Sequence, residues 1–349
     1  MIQPCVVRGK KLHVEIFGKT GSPAVFFLHG GPGESCYEFV YHQAEKLAAE
    51  LFVIAIDQRG VCRSDKILED EPFGLKDLID DCENLRQQLG VKQWSVIGHS
   101  FGGYLALIYA AGHPDSVANV IFECPTFDFK WTALSLLTKA ASIFKTLGDA
   151  ERSEQCLRLA ASNLSAEELF DRYIQFGEEL GEKKELIYSP YETLTDDSLY
   201  TEEEWDEFGE RTDIHLSRLR EEGKIFESAV PLLSRLSVPS LLILGEHDPV
   251  TCEHHIRAYK EAAQGEVIMM KGCGHTPHKE QPALYRDTIS KFILTKSKTD
   301  RGKNHGRAPE SLRIGNGVGV RSTLAVRALC TIIPFNQVAE RKNKLGRKK

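Results

Sequence analysis

Short, almost wholly apolar runs recur through the first 125 residues, each followed by a stretch of helical periodicity. The runs are VEIF (14–17), AVFFLH (24–29), LFVIAID (51–57), WSVIG (94–98) and VANVIFE (117–123). Between them lie amphipathic segments such as KDLIDDCENLRQQL (76–89). Strands apolar on both faces must be covered on both faces, so the pattern demands a mostly parallel sheet between layers of helix. From about 126 to 230 the strands stop, and apolar residues fall at helical spacing in WTALSLLTKAASIF, SAEELFDRYIQFGEEL and TEEEWDEFGERTDIHLSRLREE. SLLILG (240–245) and EVIMM (266–270) then restore the sheet, and a helix over about 281–294 closes it. The expected architecture is an α/β core made of residues 1–125 and 231–295, with a helical cap, 126–230, inserted between them.

Composition narrows the function classes. A chain of 349 residues with 42% hydrophobic and 27% charged residues can bury a large core and reads as soluble and globular. The formal net charge of −6 argues against nucleic acid as a partner. No apolar run approaches the ~20 residues that span a bilayer, and the N-terminus shows no secretory pattern, so a cytoplasmic location without a membrane is expected. Nine cysteines without a C-x-x-C pair read as free thiols in a reducing compartment. Residues 296–349 differ in kind, with 14 Lys/Arg against 3 Asp/Glu and no clear period. They read as a disordered basic appendage or an altered reading-frame extension, a docking tail being the alternative.

The chemistry is concentrated in VIGHSFGGYLAL (96–107), where Gly98-His99-Ser100-Phe101-Gly102 follows a strand and opens a helix. This G-x-S-x-G turn lifts a serine hydroxyl above the sheet and aims helix N–H groups at developing negative charge. Its glycines give the crowded turn clearance. A serine needs a base, and the base an orienting acid. Folds carrying this elbow supply them downstream, acid first and histidine second. Asp248 in LLILGEHDPVT and His275 in KGCGHTPHKEQP sit just past successive strands and fit these roles better than Glu246 and His278. His29-Gly30-Gly31-Pro32-Gly33 ends an earlier strand; the N–H groups of Gly31 and Phe101 are the expected oxyanion donors. Pro32 has no N–H to give.

With these motifs in hand, residues 1–295 resemble the α/β-hydrolase superfamily, in its proline iminopeptidase (prolyl aminopeptidase) branch. The resemblance rests on HGGPG (29–33), DQRG (57–60), GHSFGG (98–103), GEHD (245–248) and GCGH (272–275). It implies a helical cap over an eight-stranded sheet, release of an N-terminal residue such as proline from peptides, and no metal or organic cofactor. Two positions depart from the family pattern. Cys62 replaces a glycine in DQRGxGxS, and Pro249 stands where some relatives carry the glutamate that holds the substrate's amine.

An aminopeptidase must still recognise a terminal ammonium, and carboxylates do so. Residues 151–228 hold 22 Asp/Glu against 9 Lys/Arg. Glu221, Glu222 and Glu227, where the cap returns to the core, are the expected amine ligands, with Glu34 and Glu123 as further options. The substrate is expected to be a small peptide. The alternatives are an esterase using the same machinery on uncharged esters, or a catalytically silent binding module.

Overall fold

A computed structural model describes residues 2–191, 195, 196, 198–263 and 265–303. Its centre is one eight-stranded sheet built from β1 (Ile2–Val7), β2 (Lys10–Phe17), β3 (Ala24–Leu28), β4 (Phe52–Ile56), β5 (Trp94–His99), β6 (Val117–Glu123), β7 (Ser240–Gly245) and β8 (Glu266–Met270). The strands lie in the order β1-β2-β4-β3-β5-β6-β7-β8. The first two pairings are antiparallel, and every later one is parallel. β1 and the first half of β2 go beyond the sequence expectation. They form a hairpin about Arg8-Gly9, both at positive φ (47° and 80°), the conformation that a two-residue hairpin turn requires.

The chain between β3 and β4 carries two single turns, α1 (Tyr37–Phe39) and α2 (Glu45–Leu47), joined by a π turn over Val40–Ala44. Long helices then follow the strands: α3 (Leu75–Gln88) after β4 and α4 (Phe101–Gly112) after β5. The cap leaves β6 and comprises α5 (Phe129–Thr146), α6 (Ala150–Ala160), α7 (Ala166–Glu179), α8 (Glu185–Tyr188) and α9 (Glu202–Glu222). Polar residues punctuate it as their chemistry dictates. Asp128 and Asp149 accept from N–H groups at the starts of α5 and α6, while Ser165 with Glu168 and Thr201 with Glu204 form reciprocal caps on α7 and α9. Gly223, at φ 77°, ends α9 in the left-handed conformation that glycine adopts most readily.

Beyond β7 come α10 (Glu253–Ala262), α11 (Pro277–Glu280) and α12 (Pro282–Lys303). α12 outruns the expected 281–294 because TKSKTDRGK contains no proline and places its one glycine next to last. The boundary drawn at 295/296 therefore falls inside a helix. Residues 304–349, the rest of the basic tail, lie outside the described residues.

Alternation along the strands divides the core into two layers. Phe26, Ile54, Val96, Val120, Phe122 and Leu242 pack on one face with Leu78, Leu85 and Leu105 of α3 and α4. Val25, Phe27, Val53, Ile97, Ile121 and Ile243 pack on the other with Leu47, Tyr285 and Ile289 of α2 and α12. Burial on both faces is why these strands carry so few polar residues. No helix among the described residues is long and apolar enough to cross a membrane.

Candidate active site

Ser100 occupies the one-residue hinge between β5 and α4 with φ 54° and ψ −119°, a backbone conformation costing a non-glycine residue about 1–3 kcal/mol. The surroundings allow no slack. A Cβ on Gly98 would run into the carbonyl of Gly102, one on Gly102 into the carbonyl of Leu28, and one on Gly103 into Pro125. The backbone of the hinge is tied down from both sides. Ser100 N–H donates to the carbonyl of Glu123 (3.0 Å), and its own carbonyl accepts from Gly103 and Thr126. As the first residue of α4, Phe101 has an N–H with no partner inside the helix.

Asp248 and His275 meet beyond the tips of β7 and β8. His275 Nδ1 lies 2.8 Å from Asp248 Oδ1. The same carboxylate accepts from the N–H groups of Val250 (2.9 Å) and Thr251 (3.1 Å). Burial pushes the Asp248 pKa up, but the charge and hydrogen bond of His275 and the two backbone donors outweigh it, and the net shift is downward. For His275 burial works against the charged form, whereas Asp248, and more weakly Glu34 and Glu123, favour it; its pKa lies above 6.5. With Nδ1 donating to the aspartate, the neutral ring carries its lone pair on Nε2. Among the described residues no hydrogen bond joins Ser100 to His275. His99 links the two positions: its Nε2 donates to the His275 carbonyl (3.0 Å), and the two ring centres are 4.8 Å apart.

The glycine-rich loop after β3 closes the third side. A Cβ built on Gly30 would stand 2.9 Å from Ser100 Cβ, so the loop lies directly against the serine. Gly31 and Gly33, at φ 103° and 98°, need glycine's freedom. His29 holds the loop to DQRG: its Nε2 accepts from Gln58 N–H (3.0 Å), and Gln58 Nε2 donates to the His29 carbonyl (3.0 Å). Burial holds the His29 pKa down at about 4, keeping the ring neutral for this role.

Helix α9 fastens the cap to the same two loops. Thr212 Oγ1 donates to the Gly33 carbonyl (2.8 Å), His215 Nδ1 to the Arg59 carbonyl (2.8 Å), and Arg211 to the carbonyls of Cys62 (2.9 Å) and Ser64 (3.1 Å). Cys62, where the resemblance implies glycine, takes φ 45°, a left-handed conformation that carries a backbone cost for a residue with a side chain. On the far side, Tyr188 at the end of α8 accepts from His275 N–H (2.8 Å).

This arrangement, a serine on a strand–helix elbow beside a buried Asp–His pair and a glycine loop, has counterparts among known proteins. The alpha/beta hydrolase fold family matches residues 23–282. The chain belongs to that family. Among curated relatives, it is 35% identical over 133 residues to a proline iminopeptidase of Xylella fastidiosa (strain 9a5c), covering 36% of this chain and 41% of that protein. A putative 2-succinyl-6-hydroxy-2,4-cyclohexadiene-1-carboxylate synthase of Bacillus subtilis (strain 168) is 25% identical over 292 residues, 80% of this chain and 93% of that one. The chain thus spans about two fifths of the length of the proline iminopeptidases it matches. A solved proline iminopeptidase from Mycobacterium smegmatis shares the fold with TM-score 0.58 and 18% identity, over 86% of this chain and all of that one.

The other carboxylates singled out in the sequence lie apart from the Asp–His pair or are already engaged. Glu222 is committed elsewhere: it caps α3 through Leu75 N–H (2.8 Å) and pairs with Lys224 (2.9 Å). Glu221 is exposed on α9 beside Arg218 (3.6 Å). Glu227 is exposed, and it is its backbone carbonyl that receives the Tyr104 hydroxyl. None of the three shares a described hydrogen bond or ion pair with Ser100, Asp248 or His275. Glu123 is wholly buried and occupied, accepting from both the backbone and Nδ1 of His278 (2.9 and 2.8 Å) and from Tyr285 (2.8 Å). His278, whose pKa is held at about 9, thereby belongs to Glu123, and His275 to Asp248.

The sequence reading did not find this His278–Glu123 pair. Its only sequence signal is a histidine three residues past the proposed base and a carboxylate at a strand tip. Ligand atoms of His99, Glu123 and His278 lie within 4.8 Å of one another, as do those of Cys124, Asp248 and His275. Existing hydrogen bonds engage both groups, so a metal would have to break His278–Glu123 or His275–Asp248 to enter.

Proposed function

We propose that this chain is a serine hydrolase that works through an acyl-enzyme and acts as an aminopeptidase, releasing N-terminal proline or a similar residue from small peptides. The observation that carries the reading is the 2.8 Å bond between His275 Nδ1 and Asp248, which leaves the lone pair on Nε2, in a fold that also holds Ser100 on a strained elbow. Catalytic hydrogen bonds of free enzymes tighten when substrate arrives, so the Ser100–His275 bond belongs to the substrate complex.

Ser100 Oγ attacks the acyl carbon as its proton passes to His275 Nε2. The oxyanion is received by the N–H groups of Phe101 and Gly31. Collapse breaks the C–N bond, and His275 returns its proton to the leaving amine. Water then repeats the route in reverse roles, freeing the acid and restoring Ser100. Asp248 keeps the tautomer and stabilises the imidazolium. Similarity to several proline iminopeptidases supports the peptide substrate. The test compares proline naphthylamide, its N-blocked form and a p-nitrophenyl ester. Preference for the free amine is the expected result. Equal turnover of the free and blocked amides, or turnover of the ester alone, would replace the aminopeptidase by an esterase.

A further inference from the structure

Glu34 follows the glycine loop directly, and its situation is unusual for a carboxylate. Its side chain is 55% accessible to water, yet protein surrounds it closely enough that burial raises its pKa. The carboxylate is thus open to solvent on one side and has protein packed around it on the other. Among the described residues the carboxylate accepts no hydrogen bond, and its one ion-pair-range neighbour is His99 Nδ1, 3.9 Å from Oε2.

That nitrogen is an acceptor. His99 is buried, its pKa is pressed down to about 3, and its Nε2–H is spent on the His275 carbonyl, so Nδ1 keeps the lone pair. Two acceptors therefore face one another with no donor between them. Both acceptors lie against residue 30, and so does the serine. A Cβ there would lie 2.7 Å from Glu34 Oε2, 3.1 Å from His99 Nδ1 and 2.9 Å from Ser100 Cβ. A group with several N–H donors and a positive charge satisfies both acceptors at once. An α-ammonium lies two bonds from the carbonyl carbon that Ser100 attacks, so a substrate acylating Ser100 brings one to this place.

We propose that Glu34, assisted by the Nδ1 lone pair of His99, receives the α-ammonium of the substrate and sets the preference for an unblocked N-terminus. The inference rests on the aminopeptidase reading and gives it the amine ligand that Pro249 cannot supply. Glu34 is faced by His99 at the end of β5, Glu38 in α1, His275 and His278 after β8, and Glu185 and Tyr188 from α8. The two carboxylates and burial hold its proton, the histidines release it, and an arriving ammonium favours the ionised form.

The test is binding of prolinamide to Ser100→Ala by calorimetry, with and without E34Q. E34Q is expected to weaken binding by about 30-fold, the scale of a lost charged hydrogen bond. Affinity in Ser100→Ala should also strengthen with pH through a titration that E34Q abolishes. Equal affinity in the two proteins, or no binding by Ser100→Ala, overturns the proposal. In turnover by the otherwise unaltered chain, E34Q is expected to reduce the ratio of free-amine to N-blocked kcat/KM by a similar factor. A free-amine preference that E34Q leaves intact refutes this inference while sparing the aminopeptidase. Glu34-dependent prolinamide binding with no turnover of any amide does the reverse.

Discussion

Asp248→Asn tests the Asp–His pair with almost no change in shape. Oδ1 now accepts from both His275 Nδ1 (2.8 Å) and Val250 N–H (2.9 Å), and Oδ2 accepts from Thr251 N–H (3.1 Å). An asparagine has one oxygen for these three donors. With its oxygen at the Oδ1 site, its NH2 confronts the Thr251 N–H. With the oxygen at the Oδ2 site, its NH2 confronts Val250 and His275, and the ring must move its proton to Nε2, where it can no longer accept from Ser100. Either placement leaves a buried donor unmet, costing about 1–3 kcal/mol of stability. The loss of charge and the wrong tautomer together should lower kcat by about 10⁴, roughly 5 kcal/mol in the barrier. The sign of the pH effect follows from His275. Its pKa is raised above 6.5 chiefly by Asp248 working against burial. Wild-type kcat/KM should therefore climb with pH through a midpoint above 6.5, and the residual activity of the variant through a lower one. The assay is a pH profile of kcat/KM on whichever amide or ester the wild type turns over. A variant within tenfold of wild type, with an unmoved midpoint, would refute the reasoning.

Gly102→Ala drives a methyl into the Leu28 carbonyl, whereas Gly112→Ala at the end of the same helix meets nothing. Urea unfolding should show the first destabilised by about 1–3 kcal/mol or more and the second stabilised by a few tenths to 1 kcal/mol. Glu123→Gln removes the nearer of the two carboxylates that face the buried His278, leaving Glu38 at 3.7 Å, and should cost about 1–3 kcal/mol by the same measurement. His278, held at about 9, contributes stability that is complete below its unfolded pKa near 6.5 and fades as pH rises through 9. Tm should accordingly fall by roughly 5–10 °C across that window, and a flat Tm would contradict the pairing. Cys36, Cys62 and Cys273 are buried, with thiol pKa values raised first by burial, so alkylating reagents should leave activity intact until the protein unfolds.

What could be read from sequence was what is local. Six apolar runs gave strand positions to within a residue or two; five are buried on both faces, which leaves a contiguous apolar signature, and EVIMM at the sheet edge is apolar although half exposed. GHSFG announced its own geometry, since only glycine fits where backbones approach as closely as Gly98 to Gly102. The N-terminal hairpin escaped because IQPCVV carries a proline and an exposed edge, and the Arg8-Gly9 turn is a weak signal. Partnerships across long stretches of chain were not legible. Glu222 is spent 147 residues away at Leu75, and His278 meets Glu123 across 155. Glu34 was visible as a letter beside a loop. Its isolation opposite His99 exists only once β3 and β5 lie side by side.

Labelling by a fluorophosphonate, with the modified residue located by mass spectrometry, addresses the nucleophile itself. The account predicts one adduct, on Ser100, formed rapidly by the wild type and far more slowly by His275→Ala. Folded protein that stays unlabelled, or labelling at another residue that is indifferent to His275, would contradict it.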